Sequence, residues 1–393
     1  MRPKPLFLLG VLSIILSCAS LGCGKKSAPG FIESTHIVRV ALISDAPQLA
    51  LTINAPFQIF SLDTRQLLYT SHILWNARVN ASGQGVQINE QLFPGEGIRI
   101  EPLRSPALYI NKRLYRGGLD ILSRPNNTLG VINRLEVDDY ISGVLPNEVS
   151  PWWPIEAQKA QAIVARTYAL YQAKANAAKD YDLVCTALSQ VYAGRLCERS
   201  RSSRAVKLTK GKVLTYQNKI IPAFYHAACG GHTENAAELW KINIIPLRGR
   251  QCKYCTQSPY YRWRVAFSLK KIEQALEKAG IKTGKIRAIN VAERNLSGRV
   301  KRIEISCAQG TVTVEGNRFR LIVGPEKIKS TNFTVKRRWW SAVLQGKGWG
   351  HGVGMCQWGA YGMSRRHYNS EQILNFYYPE TKITFIGAEY ETF

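Results

Sequence analysis

One acidic residue, Glu148, lies in a short apolar stretch and is the strongest candidate for chemistry in the chain. It stands between Pro146 and the block Pro151-Trp152-Trp153-Pro154, in which two indoles would surround its carboxyl group. Burial beside indoles raises the pKa of a carboxyl group, whereas the positive end of a following helix lowers it weakly and within about one turn. We therefore expect Glu148 to hold a proton near neutral pH, as the general acids of glycoside cleavage do. The alternative is an ordinary helix-terminal carboxylate that caps the chain.

Three cysteines and two histidines form a second group, with the spacing of metal ligands. His226, Cys229 and His232 follow the pattern H-x-x-C-x-x-H, and Cys252 and Cys255 form C-x-x-C. Thiolates and imidazoles at such spacing are typical ligands of a structural, tetrahedral zinc ion. We expect Cys229, Cys252 and Cys255 to bind it together with His226 or His232. In an oxidising compartment, a disulfide between Cys229 and one of the other two cysteines is the alternative.

A glycine-rich segment near the C-terminus supplies flat and polar groups for a ligand. Glycines alternate around Trp349 and His351, and Gln357 and Trp358 follow. Glycine lets a backbone approach a ligand closely, and an indole offers a flat apolar face. We expect Trp349, His351 and Gln357 to line a groove that accepts sugar rings. For His351 the alternative is a core histidine whose hydrogen bonds are satisfied.

A helix and a series of short strands must hold these groups in place. Pro154 suits the first position of a helix that runs on through residues 155–170, whereas the preceding stretch with Glu148 is expected to be a loop. Short alternating runs rich in β-branched residues fill residues 36–130. The predicted fold is α+β, with a β-rich N-terminal region before a mixed α/β core. Also predicted are a hairpin around Gln217-Asn218 and an amphipathic helix over residues 269–279.

The N-terminus has the pattern of an export signal. Arg2 and Lys4 precede an apolar run over residues 7–16 that is short for a membrane span. Cys23 follows the run and a small residue and resembles a lipoprotein processing site, with Cys18 as the second choice. An ordinary cleaved signal is the alternative. The expected segments are a signal peptide over residues 1–23 and a linker over residues 24–35.

Composition and charge limit the class of protein and its partners. Of the 393 residues 45% are apolar and 10% aromatic, which is typical of a folded chain of two or three domains and excludes a disordered one. The formal net charge is +26, so anionic partners are favoured. Because we expect export, these partners would be cell-wall carboxylates or anionic lipid headgroups rather than nucleic acid.

Four ordered motifs carry a family resemblance. They are VDDYISGVLPNEVSPWWPIEAQKAQAIVARTYAL from residue 137, SQVYAG from residue 189, FYHAACGGHTENAAELW from residue 224 and GKGWGHGVGMCQWGAYGMS from residue 346. Together they resemble the SpoIID/LytB family of stage II sporulation protein D and amidase-enhancer proteins. The resemblance implies a catalytic domain over residues 131–380, followed by a C-terminal tail over residues 381–393.

The resemblance also implies an activity on peptidoglycan. Family members cut the β-1,4 bond between N-acetylmuramic acid and N-acetylglucosamine as lytic transglycosylases, preferably on peptide-stripped strands, and leave 1,6-anhydro ends. Glu148 matches the essential acid/base, so catalysis would need no cofactor. The family usually has serine where this chain has Cys356, and we expect that buried thiol to be a small change. The residues expected to bind the glycan or to orient Glu148 are Arg166, His226, Trp152, Trp153, Gln190, Tyr192, Trp349, His351 and Gln357.

Two alternatives to this activity stay open at the level of the sequence. One is a non-catalytic, glycan-binding enhancer of an N-acetylmuramoyl-L-alanine amidase. The other is a muramidase that uses water at the same bond, with Asp138 or Asp139 as a second carboxylate. In all three cases the protein would work outside the cytoplasm in the cell envelope, on the periplasmic side, held by a lipid anchor at Cys23 or Cys18.

Overall fold

The computed structural model describes residues 36–104, 108–308, 310–387 and 391–392. The predicted signal peptide, the linker and the anchor candidates Cys18 and Cys23 lie outside these residues. The described residues belong to one compact unit. No helix within the described residues combines the length and the apolar character needed to cross a bilayer.

The β-rich N-terminal region consists of short strands in two sheets. The strands are β1 (Ile37–Ala46), β2 (Gln48–Ile53), β3 (Phe57–Ser61), β4 (Leu67–Ser71), β5 (Leu74–Ser82), β6 (Gly85–Ile88), β7 (Gln91–Pro94), β8 (Gly97–Pro102), β9 (Leu108–Ile110), β10 (Arg113–Tyr115), β11 (Gly118–Arg124) and β12 (Thr128–Glu136). In one sheet the order is β1, β12, β11, β8, β3, β4, and in the other it is β10, β9, β2, β5, β6, β7.

Alternating side chains join the two sheets through one apolar core. Val40 and Ile121 from the first sheet and Leu51 and Val79 from the second are fully buried in the same cluster. Successive side chains of a strand point to opposite faces, so one face of each sheet is apolar and packs inward. β12 crosses the predicted boundary at residues 130–131 and pairs with both β1 and β11. The N-terminal region and the core thus share a sheet.

Two helices follow β12, and the first was not expected. The stretch predicted as a loop forms α1 (Val137–Glu148), with Pro146 inside its last turn. Apolar residues at Val137, Tyr140, Ile141, Val144 and Leu145 are buried, which is the i, i+3, i+4 spacing of a helix face. This face outweighs the single hydrogen bond that Pro146 removes near the helix end. The loop prediction was therefore wrong.

The predicted alanine-rich helix is confirmed as α2 (Ile155–Ala175), with Pro154 one position earlier than expected, at the N-cap. It is buried over most of its first four turns, as a helix packed on several sides must be. After it come β13 (Leu183–Val184), which extends the first sheet beside β1, and α3 (Ser200–Leu208), which packs against α1 and α2.

A second layer of the core surrounds α2 and carries the later motifs. The predicted hairpin is confirmed as β14 (Lys212–Tyr216) and β15 (Lys219–Ile220), with positive φ at Gln217 and Asn218. The other elements are β16 (Tyr225–His226), α4 (Ala237–Trp240), β23 (Met355–Cys356), α7 (Gln357–Ser364), α8 (Ser370–Tyr377), β24 (Lys382–Phe385) and β25 (Glu391–Thr392). β24 pairs with β14, so this part of the predicted tail belongs to a sheet.

Residues 262–347 form a third packing unit between these elements. Two antiparallel three-stranded sheets and two helices enclose a separate apolar cluster. The elements are β17 (Arg262–Ser268), α5 (Leu269–Lys278), β18 (Ile286–Arg294), β19 (Val300–Cys307), β20 (Gly310–Glu315), α6 (Gly316–Val323), β21 (Phe333–Arg338) and β22 (Ser341–Lys347). The predicted helix at residue 269 is confirmed as α5, capped by the Ser268 side chain. The α+β class is confirmed throughout.

Candidate active site

Glu148 lies at the C-terminal end of α1, where three hydrogen-bond donors meet its carboxyl group. The backbone N–H of Val191 donates to Oε1 at 3.1 Å, and the side-chain amide of Gln357 donates to Oε2 at 3.3 Å. The Tyr225 hydroxyl lies close enough to act as a third donor and to lower the pKa of the carboxyl group. The side chain is half-buried. Three separate motifs therefore converge on one carboxyl group.

Burial controls the protonation of this carboxyl group. Desolvation raises the pKa of Glu148 above its usual 4.5, while the donors Val191, Gln357 and Tyr225 pull it down by a smaller amount. The expected direction of the shift is thus confirmed. Among the described residues, the groups that shift the pKa of Glu148 are uncharged, and they include no carboxylate and no cation.

Tyr225 is the residue at this site that the sequence analysis missed. Its hydroxyl accepts a hydrogen bond from Gln190 Nε2 at 3.1 Å, and Gln190 also donates to the Ala165 carbonyl. Burial and the nearby Glu148 raise the pKa of Tyr225 well above its usual value, so the phenol stays protonated and donates. Gln190 thus positions Tyr225 rather than facing a glycan. The F-Y-H sequence beside His226 was the signal that could have identified Tyr225.

The two indoles expected around Glu148 lie elsewhere. Trp152 is 78% exposed, with the Arg201 guanidinium 5.5 Å from its ring centroid. Trp153 packs on the rings of Trp358 and Tyr361, each at a centroid distance of 5.1 Å. Trp152 is therefore a free flat surface four residues beyond Glu148, and Trp153 is a packing residue between helices.

Arg166 is a structural residue, which corrects the expectation that it orients Glu148 or binds substrate. Its side chain is fully buried and forms an ion pair with Asp138, with Nε 2.8 Å from Oδ1. Its Nη1 donates to the Lys212 carbonyl at 3.0 Å. Arg166 therefore ties α2 to the start of α1 and to β14. Asp138 lies ten residues before Glu148, or about 15 Å along a helix axis.

Tyr192 is also structural, although it was expected to bind the glycan. It is buried, and its hydroxyl donates to Asn133 Oδ1 at 2.9 Å. Its ring packs on Tyr140 at 5.2 Å and so closely on Gly143 that a Cβ there would lie 2.5 Å from the ring. Tyr192 thus fixes α1 against the first sheet.

The two predicted groove histidines pack on each other, 5.6 Å apart between ring centroids. Neighbouring strand residues face opposite ways, so Tyr225 faces Glu148 and His226 faces Val353, whose carbonyl lies 3.1 Å from Nδ1. His351 packs on Phe224 and Trp240, and burial lowers its pKa to about 4. His226 is buried and His351 is partly buried, and both imidazoles are neutral near pH 7. A groove position for His351 stays a prediction.

Trp349 lies apart from the carboxyl group. Its ring packs edge-on against Tyr260 at 4.2 Å, and the Lys329 ammonium stands over it at 4.2 Å. Its backbone pairs with Ala228. Of the residues predicted in the glycine-rich segment, Gln357 reaches Glu148.

The cysteine group differs from the prediction by one ligand. Cys229, Cys252 and Cys255 meet as expected, but the fourth member is Cys356 and neither His226 nor His232. β16 pairs in parallel with β23, which sets Cys356 beside His226, and the imidazole of His226 contacts the Val353 carbonyl. His232 Nδ1 lies instead 2.6 Å from the Thr233 carbonyl. All four thiols are buried and unbridged.

The raised pKa predicts an unusual effect of Glu148→Gln on stability. Because the folded state holds the proton more tightly, the free energy of unfolding falls as the pH rises from 4.5 through the folded pKa. The amide carries no charge to desolvate, so the variant should unfold at a higher temperature than the wild type at slightly alkaline pH. This difference should vanish below pH 4.5. Thermal unfolding at both pH values measures it.

Glu156→Gln is the matched control with the opposite sign. Burial is the largest single effect and raises the pKa of Glu156, but the bonds from Lys159 and Ser370 together outweigh it and lower this pKa on balance. That variant should therefore lose stability at alkaline pH and recover in acid. If Glu148→Gln also lost stability at alkaline pH, the result would contradict the claim that the carboxyl group of Glu148 is desolvated.

The fold and this site define an α+β protein with one desolvated, donor-held carboxyl group that can exchange a proton with a bound molecule. A family model described as stage II sporulation protein (SpoIID) matches residues 125–216, which include Glu148, Tyr192 and Arg166. A second model, a domain of unknown function (DUF8618), matches residues 246–354.

Whole-chain comparisons agree with the first model. An uncharacterised protein of Brachyspira hyodysenteriae is 33% identical over 344 residues, covering 87% of this chain and 91% of that protein. Stage II sporulation protein D of Bacillus subtilis is 28% identical over 268 residues, covering 64% and 76%. The amidase enhancer of B. subtilis is 27% identical over 292 residues, covering 62% of this chain and 40% of the enhancer. The chain belongs to the SpoIID family, as the four motifs predicted.

Proposed function

We propose that the protein is a peptidoglycan lytic transglycosylase that cuts the β-1,4 bond between N-acetylmuramic acid and N-acetylglucosamine. The observation that carries the proposal is the Glu148 carboxyl group, which has a raised pKa and donor contacts to Val191, Gln357 and Tyr225. Two-carboxylate glycosidases need a second acid within about 10 Å. The sequence candidates Asp138 and Asp139 lie in the first turn of α1, ion-paired to Arg166 and Arg116.

One carboxyl group suffices when the nucleophile belongs to the substrate. Protonated Glu148 donates its proton to the glycosidic oxygen as the bond from that oxygen to C1 of the muramic acid breaks. The resulting carboxylate, stabilised by its donors, takes the proton of the C6 hydroxyl, whose oxygen then bonds to C1. Glu148 is protonated again, no water is consumed, and the product carries a 1,6-anhydro ring. No metal or cofactor takes part in these steps.

The surface and the N-terminus support a role in the cell envelope. The exposed indole of Trp152 lies near Glu148 in the chain and offers a face on which a sugar ring can stack. The net charge of +26 attracts the carboxylates of the wall polymer. The export pattern before residue 24 supports a location outside the cytoplasm, and we propose Cys23 or Cys18 as the site of a lipid anchor.

A second candidate function follows from the name of one relative. The amidase enhancer of B. subtilis is similar to 62% of this chain, so the protein would bind glycan strands and stimulate an N-acetylmuramoyl-L-alanine amidase without cutting them. Such a role needs a surface of the protein that binds glycan strands, but it needs no desolvated carboxyl group. We favour the enzyme because the Glu148 environment serves proton transfer.

Mass spectrometry of the products tests the proposal. The purified protein is incubated with glycan strands that an amidase has stripped of stem peptides, and in parallel with intact strands. We expect soluble fragments ending in 1,6-anhydro-muramic acid, formed faster from the stripped strands. Strands that are bound but not cut would support the enhancer.

Tyr225→Phe should shift the pH dependence of cleavage. Because the hydroxyl lowers the pKa of Glu148, its loss raises that pKa further and moves the alkaline limb of the rate profile to higher pH. It also removes a donor to the carboxylate formed during the reaction, which costs about 1.5–3 kcal/mol, or roughly tenfold to a hundredfold in rate. Rates measured across pH test both effects.

Tyr192→Phe is the control for this variant, since it removes a buried hydroxyl that bonds to Asn133 and not to Glu148. Its pH profile should match that of the wild type. An unshifted alkaline limb in Tyr225→Phe would show that Tyr225 does not act on the acid.

A further inference from the structure

Four buried thiols from distant parts of the chain meet beside the candidate active site. The sulfur atoms of Cys229, Cys252, Cys255 and Cys356 all lie within 4.8 Å of one another, and those of Cys229 and Cys255 are 3.4 Å apart. In a tetrahedral zinc site with bonds of about 2.3 Å, the sulfur atoms are roughly 3.8 Å apart. The donor set therefore needs only sub-ångström adjustment to hold such an ion.

The backbone around the thiols is shaped for this arrangement. Cys252 and Cys255 lie on a C-x-x-C turn, and Cys229 begins a turn in which Gly230 has a φ of +76°. A Cβ at Gly230 would lie 2.7 Å from the Lys347 carbonyl carbon, so only glycine permits this approach. Cys356 is the N-cap of α7.

Hydrogen-bonding groups reach two of the four sulfur atoms. Cys356 Sγ accepts hydrogen bonds from the backbone N–H groups of Cys229 and Gly359, both at 3.2 Å. The Tyr377 hydroxyl lies 3.2 Å from Cys252 Sγ. The N-terminus of α7 adds its positive dipole end to these donors.

A buried cation completes the charge balance. Arg299 is 1% exposed, and its Nη2 donates to the Cys229 carbonyl at 3.0 Å. The buried carboxylate of Glu234 is one opposite charge for this guanidinium. A zinc ion with four thiolates carries two negative charges and would add a second anionic partner beside it.

We propose that Cys229, Cys252, Cys255 and Cys356 bind one structural zinc ion. Four thiols and one Zn²⁺ form a tetrathiolate complex and release four protons, with no change of oxidation state. The site has four protein ligands and no open position, so the ion stabilises the fold rather than taking part in catalysis.

The metal would connect the turn after β16, the C-x-x-C turn and the start of α7. Gln357 follows Cys356 directly and donates to Glu148, so zinc would fix the hydrogen-bond donor of the candidate acid. The zinc site itself does not rest on the proposed function, because metal content is measured without a substrate.

The test is the metal content of the full-length protein, purified in detergent without chelator. Elemental analysis should find about one zinc ion per chain, and a zinc-specific chelator should lower the thermal unfolding temperature until zinc is added back. Replacement by Co²⁺ should give the absorption of a tetrahedral tetrathiolate site. Zinc-free protein with disulfides among the four cysteines would overturn the proposal, and so would iron in place of zinc.

Single variants then test each ligand by chelator competition. Cys252→Ser and Cys356→Ser should each weaken zinc binding at least tenfold and change the cobalt spectrum. Cys307→Ser is the matched control, since Cys307 is also buried but lies at the end of β19 and bonds to the Gly310 carbonyl. A Cys356→Ser protein with unchanged zinc affinity and cobalt spectrum would remove Cys356 from the site.

Discussion

Glu148→Gln is expected to slow glycan cleavage by about a thousandfold to ten-thousandfold, the upper range for one acid/base group. We expect the loss of rate to be this large because a single carboxyl group both donates and removes a proton in the proposed cycle. Glutamine has the same shape and still accepts from the Val191 N–H, so binding of glycan strands should persist. Cleavage rates and strand binding of the purified variant are measured side by side.

Asp139→Asn is the control for this substitution. Asp139 lies on the same helix as Glu148, is 45% exposed and pairs loosely with Arg116 at 3.8 Å. Its removal should leave the cleavage rate within a few-fold of the wild type. A Glu148→Gln protein that still cuts at a tenth of the normal rate would contradict the single-acid account. If Asp139→Asn lost glycan cleavage, the result would favour a hydrolase that uses two carboxylates.

Arg166→Met is expected to destabilise the fold by about 3 kcal/mol, the lower end for breaking a buried ion pair, because the Asp138 side chain is 23% exposed. In this variant the Asp138 carboxylate and the Lys212 carbonyl both lose the hydrogen bond that the Arg166 guanidinium donates in the wild type. The double variant Asp138→Asn, Arg166→Met should recover part of the loss, since it removes the unpaired charge. Chemical denaturation of the wild type and the two variants measures both differences.

Lys159→Met is the matched control on the same helix. Lys159 pairs with Glu156 at 2.8 Å, but both side chains are partly exposed, so its loss should cost less than about 1 kcal/mol. The fraction of Arg166→Met protein that folds should cut glycan within a few-fold of the wild-type rate. A stable Arg166→Met protein that cannot cut would contradict the structural role and favour the orienting role that the motif implied.

The sequence predicted the elements whose signals are local. The alanine-rich α2 and the hairpin at Gln217-Asn218 follow from neighbouring residues, and both were confirmed. α1 was expected to be a loop, although the buried apolar side chains before Pro146 follow the helical period. A proline in the last turn removes one hydrogen bond, and a packed face of several residues compensates for it.

The surroundings of Glu148 could be predicted only in part. Its donors Val191 and Gln357 lie 43 and 209 residues further along the chain. A motif predicts that such residues matter, but only the fold shows which of them reach the carboxyl group. Arg166 was assigned to substrate for the same reason, because a sequence does not distinguish a buried ion pair from an exposed charge.

The cysteines show how a pattern can give the chemistry without the full set of ligands. The C-x-x-C spacing predicted a metal site with Cys229, but the fourth position was assigned to a histidine three residues away. Cys356 occupies it instead, because β16 and β23 lie side by side. A pairing between strands that are 130 residues apart leaves no local signal.

Cleavage of peptide-stripped strands in water enriched with heavy oxygen tests the central claim most directly. In the proposed reaction the C6 hydroxyl of muramic acid closes on C1, so the new ends should be 1,6-anhydro rings without heavy oxygen, and Glu148→Gln should form none. Reducing muramic acid ends that carry the heavy label would show that water is the nucleophile and would contradict lytic transglycosylation.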